Sequence, residues 1–387
     1  MQNFMFHNPT RIVFGRGEIA RLRELVPGGA RVLVTYGQGS VLRNGVLDQV
    51  RCALADHARL FEFGGIEANP ACETLDQAIA LGREERIDWI LAVGGGSVID
   101  GSKYIAAGMA HPGEPWELLT TDAASRLTGV MPIGVVLTLP ATGSESNDGA
   151  VISRYASSDK LEFKTPLVQP RFAILDPLTT FSLPPQQTAN GIVDTFVHVT
   201  EQYLTYPAHA PIQDRWAEGL LQTLIETGPV LMEKPDDYHA RATAMWGATL
   251  ALNRLIGMGV PHDWSAHMIG HEVTGLFGID HGRTLAALMP AVLEVCRDDK
   301  HDKLLQYAER VWGIRSGSEH ERIDAAIAAT RRFFRSLGVP VRLSEWGIGI
   351  DDLSPILYKL VAHGMTALGE RRRITPEVAN RILLAAL

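Results

Sequence analysis

Short runs of apolar, β-branched residues alternate with longer stretches of helical period through the first half of the chain, the pattern of βαβ units around a parallel sheet. Arg31-Val-Leu-Val-Thr35, Trp89-Ile-Leu-Ala-Val93, Ile133-Gly-Val-Val-Leu-Thr138 and Phe172-Ala-Ile-Leu175 are near-continuous apolar runs closed by Gly, Pro or Asp, as strands covered on both faces are. An earlier run, Thr10-Arg-Ile-Val-Phe14, precedes Gly15-Arg-Gly17 and predicts an antiparallel edge hairpin. After Asp176-Pro177 the texture changes. Leu183-Pro184-Pro185 punctuates the chain, and from Gln187 onward apolar positions recur with helical period almost without strand candidates. The pattern predicts a Rossmann-like α/β domain over residues 1–180, followed by an all-helical domain over 181–387.

Composition narrows the function classes. The 387 residues are 46% hydrophobic and 21% charged, which suits two packed globular domains. No window approaches the roughly 18 uninterrupted apolar residues of a membrane span. The start, Met1 to His7, has neither the basic segment nor the long apolar segment of a secretory signal. Three scattered cysteines, Cys52, Cys72 and Cys296, make no disulfide framework and no CxxC metal site, which fits a reducing cytoplasm. A net charge of −8 argues against nucleic acid as a partner, and Arg371-Arg372-Arg373 is expected to be a solvated helix end.

Three glycine-bearing turns follow strands, at Gly37-Gln38-Gly39-Ser40, Gly94-Gly95-Gly96-Ser97 and Ala141-Thr142-Gly143-Ser144. In the second, a buried strand runs into three glycines and then Ser97-Val-Ile-Asp100, which predicts a capping box starting a helix. Backbone N–H groups at such a start attract phosphate. The spacing is not GxGxxG, so the fingerprint of a standard Rossmann domain is missing. The turn after the first strand, Gly37 to Ser40, carries no carboxylate; the nearest downstream acid is Asp48. NAD-selective sites place an acid here for the ribose hydroxyls, whereas these residues and a helix beginning near Ser40 can donate to a 2′-phosphate, so NADP(H) is expected.

Asp194 and His198 stand four apart in a helical stretch, and His267 and His271 repeat that spacing, so each pair projects from one helix face. With His281 they offer four imidazoles and one carboxylate to a single divalent ion, within the ligand preferences of Zn²⁺ or Fe²⁺. Spacing leaves open which of the five is not a ligand. His262, Asp263 and His209 read as loop or surface residues.

These residues resemble the iron-containing alcohol dehydrogenase family, most closely its NADPH-dependent aldehyde reductases and butanol dehydrogenases. The likeness runs from Pro9-Thr-Arg-Ile-Val-Phe-Gly15 through Gly94-Gly-Gly-Ser-Val-Ile-Asp100 and Thr138-Leu-Pro-Ala-Thr-Gly-Ser-Glu145 to two signature segments. The first is Ala173-Ile-Leu-Asp-Pro177 continuing through Asp194 to Glu201, and the second is Trp264-Ser-Ala-His267 through His281-Gly-Arg-Thr284. The resemblance implies metal ligands at Asp194, His198, His267 and His281, leaving His271 beside the substrate as a candidate proton donor. It also implies cofactor contacts at Gly95, Gly96, Ser97, Asn69, Thr138, Thr142, Asn147 and Lys160; Gly37, Gln38, Gly39, Ser40 and Asp100 join them as residues of the glycine turns. Asp148 departs from the small residue expected there. The implied architecture is that of dehydroquinate synthase, and the expected enzyme is a cytoplasmic homodimer moving hydride between NADP(H) and small aldehydes or primary alcohols. The stretch from Leu255 to Phe277 contains no Lys, which suits a neutral substrate, although Arg254 and Arg283 lie near. Alternatives are a glycerol-type dehydrogenase of the same superfamily and a sugar-phosphate cyclase of the dehydroquinate synthase type.

Overall fold

The structure, a computed structural model, describes residues 1–387, which divide into two compact units: His7–Leu183, and Pro184–Leu387 together with Met1–Phe6. The first unit runs β1 (Arg11–Phe14), α1 (Leu22–Leu25), β2 (Arg31–Gly37), α2 (Ser40–Arg43), α3 (Val46–Leu54), β3 (Arg59–Ile66), α4 (Cys72–Glu84), β4 (Trp89–Gly95) and α5 (Gly96–Ala110). It continues with α6 (Glu117–Thr120), β5 (Ile133–Leu139), β6 (Gly149–Arg154), β7 (Asp159–Lys164) and β8 (Phe172–Leu175). Six strands form one parallel sheet in the order β1-β8-β5-β4-β2-β3. The inner strands β4, β5 and β8 are buried almost throughout, which is why their apolar runs are unbroken.

Two features depart from the sequence pattern. β1 is not half of a hairpin: it lies parallel to β8, because Gly17 turns the chain into a helical segment instead of reversing it. Gly15 N donates to Leu175 O (3.1 Å) and Gly17 N to Asp176 Oδ2 (2.7 Å), so β1 and β8 end side by side. The only hairpin in the unit is β6–β7, antiparallel and outside the main sheet.

Strand order locates the natural crevice. From β2 the chain moves outward to the edge strand β3, then returns through α4 to β4 on the other flank of β2. The carboxyl ends of β2 and β4 therefore bound a switch point, where open α/β sheets take their ligands.

The second unit is helical: α7 (Pro185–Tyr203), α8 (Pro211–Glu233), α9 (Tyr238–Leu252), α10 (Ser265–Phe277), α11 (His281–Val295), α12 (His301–Arg310), α13 (Glu319–Ser336), α14 (Leu353–Ala362) and α15 (Pro376–Ala386). α7 is its axis. Every residue from Thr188 to Tyr203 is buried, and α8, α9 and α11 pack around it. Polar side chains on α7 therefore have no solvent to face and need partners inside the unit.

Candidate metal centre and cofactor site

On α7, Asp194, His198 and Glu201 stand at i, i+4 and i+7 and share one face. Opposite them α10 presents His267 and His271, and α11 begins with His281. Gly282 allows that approach: a Cβ there would stand 2.5 Å from the backbone oxygen of Asn190 on α7. Asp280 fixes the same corner by accepting from Asn190 Nδ2 (3.0 Å).

Three imidazoles converge on one carboxylate oxygen. His198 Nε2 and His267 Nε2 each lie 3.7 Å from Asp194 Oδ1, and His281 Nε2 lies 4.0 Å away. Ligands roughly 2.1 Å from a tetrahedral ion stand roughly 3.4 Å apart, so a small contraction would close the set. Asp194, His267 and His281 each offer a ligand atom within 4.8 Å of the others, a set that His198 does not join. His267 gives the clearest test of fit. Its Nδ1 faces Glu201 while its buried Nε2 has no hydrogen-bond partner, as a ligand awaiting an ion would. Holding three imidazoles around one buried carboxylate without a metal would require buried protons in its place. A donor set of three nitrogens and one oxygen suits Zn²⁺ or Fe²⁺.

His271 is buried beside this group and outside it, its ring 5.0 Å from that of His281 and 6.4 Å from that of His267.

Glu201 is the residue that spacing alone passes over. Wholly buried, it accepts from Ala266 N (2.7 Å) and holds the His267 ring. Burial opposes charge on His267, but Glu201 and Asp194 outweigh it and raise the imidazole to about 9, while burial pushes the Glu201 carboxyl up. Trp264 completes the wall. At φ 64° it sits in the left-handed region, and its ring packs edge-on against His198 and His267. Asp263, read as a loop or surface residue, does lie in the loop before α10 but is buried there in an ion cluster with Lys300, which also holds Glu370, each contact at 2.9 Å. Its backbone N–H donates to Glu201 O (2.9 Å), which links this cluster to the wall of the metal site.

In the other unit, the glycines at the end of β4 answer first to packing. Cβ atoms at Gly94, Gly95 and Gly96 would stand 2.5, 2.9 and 2.5 Å from Val98, Leu139 and Thr142. The expected capping box is absent. α5 starts at Gly96 with no side-chain cap, and Asp100 turns away to accept from Ser144 Oγ (2.5 Å) and Val151 N (2.9 Å). Asp100 thereby ties α5 to β6, and the first N–H groups of this 15-residue helix, including that of Ser97, stay available to an anion. Thr142 stands against Gly96, and Thr138 is the penultimate residue of β5, before the Leu139 that packs on Gly95. Lys160 Nζ donates to Asn69 Oδ1 (2.8 Å), bringing together two candidates 91 residues apart.

Lys103 lies under the loop that carries Asn147. Fully buried, it donates to Ser144 Oγ (2.8 Å), Asn147 Oδ1 (3.0 Å) and Gly149 O (2.8 Å). Asp148, where a small residue was expected, is buried with its charge felt by this ammonium. Burial pushes Lys103 down to about 8, against the pull of Asp100, Asp148 and Glu145. The unfolded chain holds that proton up to the ordinary 10.5. Below pH 8 both states are protonated and folding bears the whole cost, about 3 kcal/mol; from pH 8 to 10.5 the cost fades, because the folded protein gives up the proton first. Urea unfolding of wild type and Lys103→Met should therefore show the stability difference moving in favour of wild type as pH rises through that window. A constant difference would contradict this.

Family models match almost end to end: iron-containing alcohol dehydrogenase over residues 9–177, and the C-terminal domain of the Fe-containing alcohol dehydrogenase family over residues 188–387. The chain belongs to the iron-containing alcohol dehydrogenase family. It is 57% identical to the NADPH-dependent aldehyde reductase YqhD of Escherichia coli, with all of both chains aligned. It is 40% identical, again over both whole chains, to the probable NADH-dependent butanol dehydrogenase 1 of Bacillus subtilis. The crystal structure of E. coli YqhD superposes with a TM-score of 0.98 at 56% identity, covering 100% of this chain and 99% of that one.

Proposed function

We propose that the protein reduces small aldehydes to primary alcohols with NADPH, and runs the reverse with NADP⁺, at a single Zn²⁺ or Fe²⁺ ion. The observation that carries this reading is the convergence of His198, His267 and His281 on Asp194, with His267 Nε2 buried and without a hydrogen bond. When bound, the metal would supply Lewis acidity toward the carbonyl oxygen and the reduced nicotinamide a hydride for its carbon. The chain's own tasks are to hold both groups and to exclude water. Glu201 orients His267, and the uncapped start of α5 at Gly96 and Ser97 takes the cofactor's pyrophosphate, with Thr138, Thr142, Asn147, Asn69 and Lys160 around it. Nearby charge is already engaged: the Arg283 guanidinium lies over the Trp346 ring at 4.7 Å and beside Asp280 at 3.8 Å. A neutral substrate fits better than an organic acid. The same reading takes the enzyme as a cytoplasmic homodimer without nucleic-acid or membrane partners, in keeping with its acidic charge and with no helix long and apolar enough to cross a membrane.

His271 is the proposed proton donor to the nascent alcohol. His271→Ala should keep the metal and slow turnover by about 10² to 10⁴-fold. Loss of metal in that variant would make His271 a ligand instead. The function itself is tested by following nicotinamide absorbance with NADPH and NADH against butanal, a longer aldehyde, lactaldehyde and glycerol. Fastest turnover with NADPH and an aldehyde is expected; a preference for glycerol would point to the polyol dehydrogenases.

A further inference from the structure

Family membership does not set the nucleotide preference, since relatives of this chain carry both NADPH-dependent and NADH-dependent names. In open α/β sheets the ribose sits by the strand ends at the switch point, so charge at the end of β2, across the crevice from the start of α5, is where a preference would be read. The turn Gly37-Gln38-Gly39-Ser40 has no carboxylate, and the two acids nearest it on α3 and β3 are held by one arginine, while Glu67, next to the Ile66 that pairs with Gly37, accepts from Thr74 Oγ1 through one oxygen only. Arg51 holds Asp48 at 2.9 Å and clasps Glu62 through two hydrogen bonds of 2.8 Å. Backbone dipoles do not fill the gap. The helix expected to start near Ser40 is α2, only four residues long and too short for a useful macrodipole.

Arg43 ends that turn of helix. It is exposed, and no hydrogen bond or ion pair engages its guanidinium. The side chain folds back over the turn: a Cβ on Gly39 would stand 3.4 Å from Arg43 Nη1. Gly39 itself adopts φ +99°, which other residues rarely do, so this turn keeps open the space that the guanidinium overhangs.

We propose that Arg43 is the specificity-determining residue that recognises the 2′-phosphate of NADP(H) and separates it from NAD(H). A planar guanidinium matches a phosphate through paired N–H donors, and here it brings no carboxylate that must first be displaced. This rests on the NADP(H) reading above.

The test uses the full chain with Arg43→Gln and Arg43→Lys, reading dissociation constants for NADPH and NADH from nicotinamide fluorescence. Competition by 2′,5′-ADP and by 5′-AMP isolates the phosphate. Arg43→Gln should weaken NADPH by about tenfold or more, leave NADH within about twofold, and erase most of the advantage of 2′,5′-ADP over 5′-AMP. Arg43→Lys should recover part of the loss. An aspartate at Gly37 is a poorer probe, because its Cβ would stand 3.3 Å from the Ile66 carbonyl oxygen and strain the pairing of β2 with β3. Equal weakening of both cofactors, or of neither, would overturn the proposal. If wild type itself binds NADPH and NADH alike, the NADP(H) reading fails as well; if wild type prefers NADPH and Arg43→Gln keeps that preference, only the role of Arg43 fails.

Discussion

Asp194→Ala should strip the protein to less than about a tenth of its metal and lower turnover by at least about 10³-fold, since Lewis-acid stabilisation is worth several kcal/mol. Asp194 Oδ1 is the atom to which all three imidazoles point, so its loss would remove both a proposed ligand and the charge that would offset the cation. His267→Ala should behave alike. Glu201→Gln should be milder, weakening metal binding about 10 to 100-fold, because it leaves every ligand in place and loosens only the orientation of His267. Metal analysis beside initial rates reads all three, and NADPH binding should survive in each, because the residues proposed to hold it lie in His7–Leu183. Full metal occupancy in Asp194→Ala or His267→Ala would contradict the ligand set.

Lys300→Met should be the most destabilising single change away from the metal. The ammonium is almost wholly buried, donates to Leu204 O (2.7 Å) and pairs with both Asp263 and Glu370. Burial works against its charge, but the two carboxylates hold its pKa well above the ordinary lysine range. Stability from a raised lysine pKa is present below the ordinary range and lost only in strong alkali, so the cluster is intact at neutral pH. Removing the cation leaves two buried carboxylates facing each other, a cost of about 3 to 5 kcal/mol, or roughly 10 °C in melting temperature for a unit of this size. Because Asp263 also supports Glu201 through its backbone N–H, metal affinity should fall with stability. Scanning calorimetry checks this; an unchanged melting temperature would mean that the cluster contributes nothing net.

Legibility in the sequence followed burial. β2, β4, β5 and β8 could be read because most of their residues are covered on both faces, so apolar runs mark them. β3 escaped because it is an edge strand with a mixed, half-exposed pattern, and β6 and β7 because they form a short hairpin rich in polar residues. The direction of β1 could not be read, since a strand's period says nothing about its partner. The capping box failed because α5 starts before it: Gly95 is the N-cap, so Ser97 already lies inside the helix, and Asp100 accepts from Ser144 and Val151 instead. At the metal centre, spacing supplied the two histidine-bearing pairs, and Glu201 was legible in principle as the next inward position on α7. The Lys300–Asp263–Glu370 cluster was not, because its members come from separate segments that only packing unites.

The proposed ligand set of Asp194 and three histidines makes one metal ion a requirement for aldehyde reduction by NADPH. Its most direct test is to remove bound metal with a chelator, return Zn²⁺ or Fe²⁺ stepwise, and follow NADPH oxidation by butanal at each step. Activity should fall to background and recover linearly, saturating at one ion per chain; full turnover by the metal-free protein would contradict the account.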